Sequence, residues 1–383
     1  MTFASSAALR MPGVMPTSLI FLLEAFVLGN WIPRIPEVKA VFGFTASELG
    51  LALFVISLGT MIAFLAGSFV TKLLGLRLAC TVFNPIWALS IMAIPFMPNG
   101  LAMGPVLLAA GISIGMTEIG MNTAIDRLEV RTGRRLMSKA HGFWSLGSLL
   151  GAGVGTGFAV MDVSLTVHFA LVLGATALVM VWAGLSMPEF DRAKLDDGPP
   201  FKLPNRGLIL LCIMPIGIML IEGAFIDWSA LFVQQELQAG PLAIGSIFSA
   251  FALVMTVTRF SGDMLLERFG SLRVARVSGV SATFGIALFS LSQSVPVAFL
   301  GALFSGLGVA IFYPLVMSAA AKRPGDSEDN VAAMSLFAFT AFMIAPPAIG
   351  FLADAIGLRW ALALLIPISM TALVLSGELK KDA

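Results

Sequence analysis

The chain has 383 residues, 58% hydrophobic and 12% charged, with a net charge of +1 and a mean hydropathy of +0.96. Soluble domains carry roughly 25% charged residues, so this much apolar surface needs lipid as its solvent and excludes a water-soluble fold. The near-neutral balance gives no electrostatic footprint for nucleic acid, and Cys80 and Cys212, each inside an apolar run, make no disulfide framework.

A membrane-spanning helix needs about 20 consecutive, mostly apolar residues. Twelve such runs follow one another, at 16–34, 47–72, 76–97, 100–123, 141–161, 164–187, 208–232, 241–265, 271–292, 295–320, 331–352 and 358–376. They predict an all-α membrane protein. Only Arg10 precedes the first run and no small-residue cleavage site follows it, so that run is expected to be a retained span and not a signal peptide. Breaks such as "FMPNG" (Phe96 to Gly100) and "SQSV" (Ser292 to Val295) are short. The longest polar interval is "PEFDRAKLDDGPPFKLPNR", Pro188 to Arg206. It predicts an N-terminal six-helix bundle over 1–187, a cytoplasmic linker over 188–207 and a C-terminal six-helix bundle over 208–383.

With the N-terminus inside, all of the 23 Lys and Arg residues fall on the cytoplasmic side except Arg34, Lys39 and Arg359, with Arg259 near the inner end of the eighth run. Basic residues concentrate on the cytoplasmic face, so both termini are expected in the cytoplasm, beneath an inner membrane. The halves also echo each other. "LLEAFVLGNW" (Leu22 to Trp31) in the first run resembles "LIEGAFIDW" (Leu220 to Trp228) in the seventh. "GSFVTKLLGLR" (Gly67 to Arg77) after the second run matches "GDMLLERFGSLR" (Gly262 to Arg273) after the eighth, with both glycine pairs eight residues apart. Internal repeats of this kind mark secondary transporters, whose binding site lies between the halves near the bilayer midplane.

The stretch "RFSGDMLLERFGSLR" (Arg259 to Arg273) resembles the loop motif of the major facilitator superfamily, although Thr71 and Lys72 replace the acid in the first-half copy. Within that superfamily, "GMTEIGMNTA" (Gly115 to Ala124) and "RLMSKAHGFWSLGSLLGAG" (Arg135 to Gly153) are similar to the fucose/hexose–proton symporter branch and its uncharacterised bacterial relatives. In that branch a helix-4 glutamate implicated in proton-coupled sugar transport is followed four residues later by asparagine, and Glu118 and Asn122 reproduce the spacing. The helix-1 aspartate of the branch has Asn30, before Pro33 and Pro36, as its nearest counterpart. The resemblance implies a major facilitator fold of two pseudo-symmetric six-helix bundles, with helices 1, 4, 7 and 10 lining the cavity.

Glu24 lies inside "SLIFLLEAFVLGN" (Ser18 to Asn30), and Glu222 occupies nearly the same depth of the seventh run. A charge at the bilayer centre costs a few kcal/mol unless it is paired, hydrated or neutralised, and desolvation favours the protonated carboxyl, as a proton carrier requires. The structural alternative is a carboxyl that only ties helices together. Glu118 and Asn122 share a helical face and could fix a polar ligand, or form a polar patch against helix 5. Trp31 and Trp228 suit either a sugar ring or the membrane interface. Asp227 is expected to pair with Arg34 as an outer gate. Trp144 on helix 5 and Tyr313 on helix 10 are weaker candidates; Tyr313, the only tyrosine, matches the depth of Glu118 in the other half. His141 reads as an interfacial hydrogen bonder or a proton relay, and His168 as structural. Arg259, Asp263 and Glu267 recur at four-residue spacing and are expected to pair along helix 8; with Arg268 they form the cytoplasmic latch that the resemblance implies. Gly147, Gly151 and Gly155 on helix 5 predict close helix approach.

The sequence contains no Walker phosphate loop, metal-ligand cluster or nucleophile–base pair, so no enzyme activity and no cofactor or metal is expected. The leading expectation is proton-coupled symport of a small polar, sugar-like solute by a monomer in the lipid bilayer. The alternative is a proton antiporter exporting an amphipathic metabolite or drug, supported by 30 Phe and 21 Met residues. A ligand sensor that moves nothing ranks below both.

Overall fold

The computed structural model describes residues 12–134, 136–191, 208–324 and 327–382. Arg10, Arg135 and residues 192–207, most of the expected linker, lie outside the described residues. Within them the regular structure is helical. Twelve helices are long and apolar enough to cross a membrane: α1 (Val14–Phe42), α2 (Ala46–Gly67), α3 (Leu76–Phe96), α4 (Gly100–Thr132), α5 (Met137–Val160), α6 (Leu165–Leu185), α7 (Ile209–Asp227), α8 (Pro241–Phe260), α9 (Ser271–Ser290), α10 (Val295–Ala321), α11 (Ala333–Ile356) and α12 (Leu358–Leu379). They match the twelve predicted runs one for one.

Differences lie at helix ends, where hydropathy and backbone geometry part company. The fourth run was expected to stop at 123, yet α4 continues to Thr132. Charged side chains such as Asp126 and Arg127 end an apolar run without ending a helix, because they can reach toward water from a continuing backbone. Termination falls to Gly133, whose φ of 63° supplies the left-handed cap, with its N–H on the Glu129 carbonyl at 2.8 Å. The first run extends through a 3-10 turn at Ile32–Arg34, set by Pro33, into a further helical segment to Phe42.

The repeat seen in sequence recurs in the backbone. Gly75 before α3 and Gly270 before α9 share one conformation (φ 84°, ψ 153° and φ 76°, ψ 155°), and Gly357 before α12 adopts it too (φ 86°, ψ 149°). A positive φ of this kind is open to glycine at no steric cost, which explains why glycine marks these junctions.

The chain forms two compact units, one from Met1–Val38 with Val55–Asp197 and the other from Lys39–Phe54 with Gly198–Ala383. In the first, α5 packs on α1 through its glycines. A Cβ on Gly147 or Gly151 would lie 2.0 or 2.2 Å from the carbonyl oxygens of Leu22 and Phe26. Small residues let helix backbones meet in lipid, where water gives no driving force. In the second unit, the start of α2 lies against α11. Asp354 accepts hydrogen bonds from the Ser47 and Ala46 N–H groups at 2.8 and 3.1 Å, filling the N-cap role for α2. Cys80 and Cys212 are buried free thiols.

Candidate functional site

The glycine contact between α1 and α5 positions the first unit's acidic centre. Trp144 stands one helical turn before Gly147, so its indole reaches α1, and Nε1–H donates to Glu24 Oε2 at 2.9 Å. Trp87 on α3 donates from Nε1 to the Glu24 backbone carbonyl at 3.1 Å. Glu24 is 4% exposed, and Oε1 has no hydrogen-bond partner among the described residues. Its electrostatic neighbour is a second acid, Glu118 on α4. Glu118 and Asn122 are half-buried. The Asn122 amide donates to the Glu118 backbone carbonyl at 2.9 Å, which fixes the asparagine and leaves the carboxylate to other contacts.

The outer part of α1 is committed to packing. Asn30, raised as a ligand contact, is fully buried. Its Nδ2 donates to the Phe26 carbonyl at 2.8 Å, and its Oδ1 lies 3.0 Å from His168 Nε2. His168 stacks on Phe158 with ring centroids 4.6 Å apart. Trp31 is likewise buried, 6.4 Å from Phe169. Arg34 was expected to pair with Asp227. Its partners are found within its own unit: Glu37, three residues on, at 2.6 Å and the Val163 carbonyl at 2.8 Å. A helix places i and i+3 side by side, so the local acid captures the guanidinium. His141 packs edge-on to Phe21 at 5.4 Å.

In the second unit, Glu222 on α7 forms an ion pair with Arg259 on α8 at 3.2 Å. Arg259 Nε also donates to the Ala310 carbonyl at 3.1 Å. That carbonyl lies where α10 interrupts its helix, between Val309 and Phe312. Arg259, Asp263 and Glu267, expected to pair along helix 8, do not share one unbroken helix. The α8 helix stops at Phe260, and a separate helical segment, Gly262–Phe269, carries both acids. Arg259, in the last turn of α8, reaches α7 and α10. Arg268 lies over the Phe269 ring at 5.4 Å. Trp228 sits fully buried at the residue after α7, while Asp227 beside it is half-buried. Tyr313, also half-buried, donates its hydroxyl to Ser335 Oγ on α11 at 3.2 Å.

The sequence reading singled out neither Asn84 on α3 nor Thr117 on α4. Both are fully buried, and both Asn84 amide atoms and Thr117 Oγ1 lack hydrogen-bond partners among the described residues. Asn84 precedes Pro85 inside a helix. The Asn-Pro pair reads as a turn signal in sequence, which hides a polar side chain at mid-span.

The chain is 32% identical over 345 residues to an uncharacterized transporter, y4wD, of Sinorhizobium fredii, covering 88% of this chain and 90% of that protein. The nucleoside transporter NupG superposes with a TM-score of 0.71 at 14% identity, covering 97% of this chain and 99% of NupG. An alanine-substituted form of the fucose:proton symporter FucP of E. coli superposes with a TM-score of 0.62 at 14% identity, covering 97% and 98%. These two likenesses show the fold and span more than one substrate class. A family model described as Major Facilitator Superfamily matches residues 17–328 and again 207–379. With its twelve spans, its repeated junction glycines and these matches, the chain belongs to the Major Facilitator Superfamily of membrane transporters.

Proposed function

We propose that the protein is a secondary active transporter that moves a small polar, sugar-like solute across the inner membrane by alternating access, in symport with protons carried at Glu118 and Glu24. The observation that carries this reading is the pair of acids in the first unit. Glu24 is buried and held by an indole N–H, and half-buried Glu118 is its electrostatic neighbour. Two neighbouring carboxylates repel, so a proton on one relieves both. A site that gains or loses that proton with the solute couples the two fluxes. Glu118 and Asn122 supply the polar contacts of the first half, and Asp227 and Tyr313 those of the second. Glu222, paired with Arg259, braces its unit. The inner-membrane location, the cytoplasmic termini and the bundles at 1–187 and 208–383 belong to the same proposal, supported by the basic-residue asymmetry. The sugar-like class is supported by the Glu118–Asn122 spacing and accords with the fucose:proton symport named for one fold relative.

Proteoliposomes screened with sugars, polyols and nucleosides test it. An inward proton gradient is expected to drive accumulation, and Glu118→Gln to remove that response. Uptake indifferent to both the gradient and the substitution refutes the coupling.

One observation favours a second reading, export of an amphipathic metabolite by proton antiport. The second unit holds a cavity of about 690 Å³ lined by apolar side chains of α7, α11 and α12, among them Leu220, Phe337, Ile344 and Leu365, with Thr340 as a polar contact. Such a cavity suits an apolar ligand body. Changed drug susceptibility on deletion of the gene, with no sugar uptake, decides for export.

A further inference from the structure

The repeat register raises a question of charge. Glu222 and Glu24 occupy equivalent positions in "LIEGAFIDW" and "LLEAFVLGNW". Arg259 precedes Gly262 by three residues, and the residue three before the matching Gly67 is Phe64. The second half therefore builds its cation into the chain, at 3.2 Å from Glu222. The first half puts an aromatic ring at that position and a second acid, Glu118, near Glu24.

Helix register places three buried polar side chains, Glu24, Asn84 and Thr117, toward one another. Cys80, Asn84 and Trp87 fall on one face of α3 by their spacing. Trp87 binds the Glu24 carbonyl of α1, and Cys80 Sγ fills the space beside Gly120 of α4, 2.7 Å from where a Cβ would stand. Asn84, one turn from each, lies between those two contacts. The α3 and α4 helices are consecutive spans joined by three residues and so run antiparallel. One turn on from Cys80 thus faces one turn back from Gly120, which is Thr117. Glu24 Oε1, the Asn84 amide and Thr117 Oγ1 all lack hydrogen-bond partners among the described residues. Each such buried group is costly if left unsatisfied.

We propose that these residues form a binding site for a small monovalent cation of the Na⁺ class, held by Glu24 Oε1, Asn84 Oδ1 and Thr117 Oγ1. The donor set is all oxygen, as hard cations prefer. Its single liganding carboxylate balances a single positive charge, and the ion takes the part that the Arg259 guanidinium plays in the other half. The site goes beyond the proton-coupled reading and stands without it. Protons compete with the ion at Glu24. The titratable groups facing this region are Glu118 on α4, Cys80 on α3 and His141, one turn from Trp144 on α5.

The test is thermal unfolding of the purified full chain in detergent at mildly alkaline pH, titrated with NaCl against KCl and choline chloride at constant ionic strength. Na⁺ is expected to raise the midpoint saturably, as a ligand of the folded state does, while choline does not. Thr117→Val keeps the shape and removes one ligand, so it is expected to move half-saturation upward by about tenfold. Asn84→Ala is expected to do the same, and Thr117→Val serves if Asn84→Ala does not fold. Melting that is identical in all three salts overturns the site. So does a Na⁺ response unchanged in Thr117→Val. Solute uptake under a proton gradient is a separate readout, so loss of one assignment leaves the other standing.

Discussion

The two repeat-related glutamates show how one position serves two purposes. Glu222 meets Arg259 at 3.2 Å, a buried pair completed by the Ala310 carbonyl. Glu24 meets an indole N–H and a neighbouring acid, and keeps one oxygen without a hydrogen-bond partner among the described residues. A buried carboxylate with a fixed counter-charge has little to gain from a mobile cation. One without such a charge can bind and release one. The junction glycines of the repeat share one backbone conformation, so the halves differ here in charge.

Arg259→Ala leaves Glu222 buried without its cation and is expected to cost about 3–5 kcal/mol, measured by denaturation of the purified protein. Arg259→Met combined with Glu222→Gln should recover most of that loss, because the burden is the unpaired charge and not the missing contact. If the double substitution is as damaging as the single one, the ion pair is not what braces α7 to α8.

The helix contact that presents Trp144 comes next. Gly151→Ala puts a Cβ 2.2 Å from the Phe26 carbonyl oxygen and is expected to destabilise by about 1–3 kcal/mol through overpacking. Gly153→Ala on the same helix meets nothing within 4 Å and should be neutral or stabilise by up to ~1 kcal/mol. Equal effects at the two glycines would show that α5 does not rest on α1 as described. A smaller loss, roughly 1–2 kcal/mol, is expected from Trp144→Phe, which removes the indole donor to Glu24. Its informative readout is a changed pH profile of uptake, beside that modest loss in unfolding. The mildest change is Asp354→Ala, which strips the α2 cap and is expected to cost about 1 kcal/mol in the same unfolding assay.

Much of this was legible in the sequence because lipid imposes a simple rule. A span must be apolar for about 20 residues, so all twelve helices were marked, and positive-φ glycines at the repeated junctions left a visible period. The Gly147, Gly151 and Gly155 stripe likewise announced a close contact, and α1 proved to be its partner. Glu24, Glu118 and Glu222 stood out because acids are rare at such depth. What sequence could not supply was direction. Spacing points Arg259 along its own helix, and nothing in the chain shows that it also reaches Glu222 on α7. Asn30 looked free for a ligand, but His168 takes it. Nothing in the sequence shows that Trp144, 120 residues away, meets Glu24. Asn84 was hidden by the proline beside it.

The most direct test of the account compares Glu24→Gln with Glu222→Gln, side by side, in proton-gradient-driven uptake and in unfolding. Glu24→Gln is expected to abolish the response to the gradient while the protein stays folded. Glu222→Gln is expected to lower stability by stranding Arg259, yet the molecules that fold should still respond to the gradient. A Glu24→Gln protein that accumulates solute as the wild type does, beside a well-folded Glu222→Gln protein that does not, would contradict it.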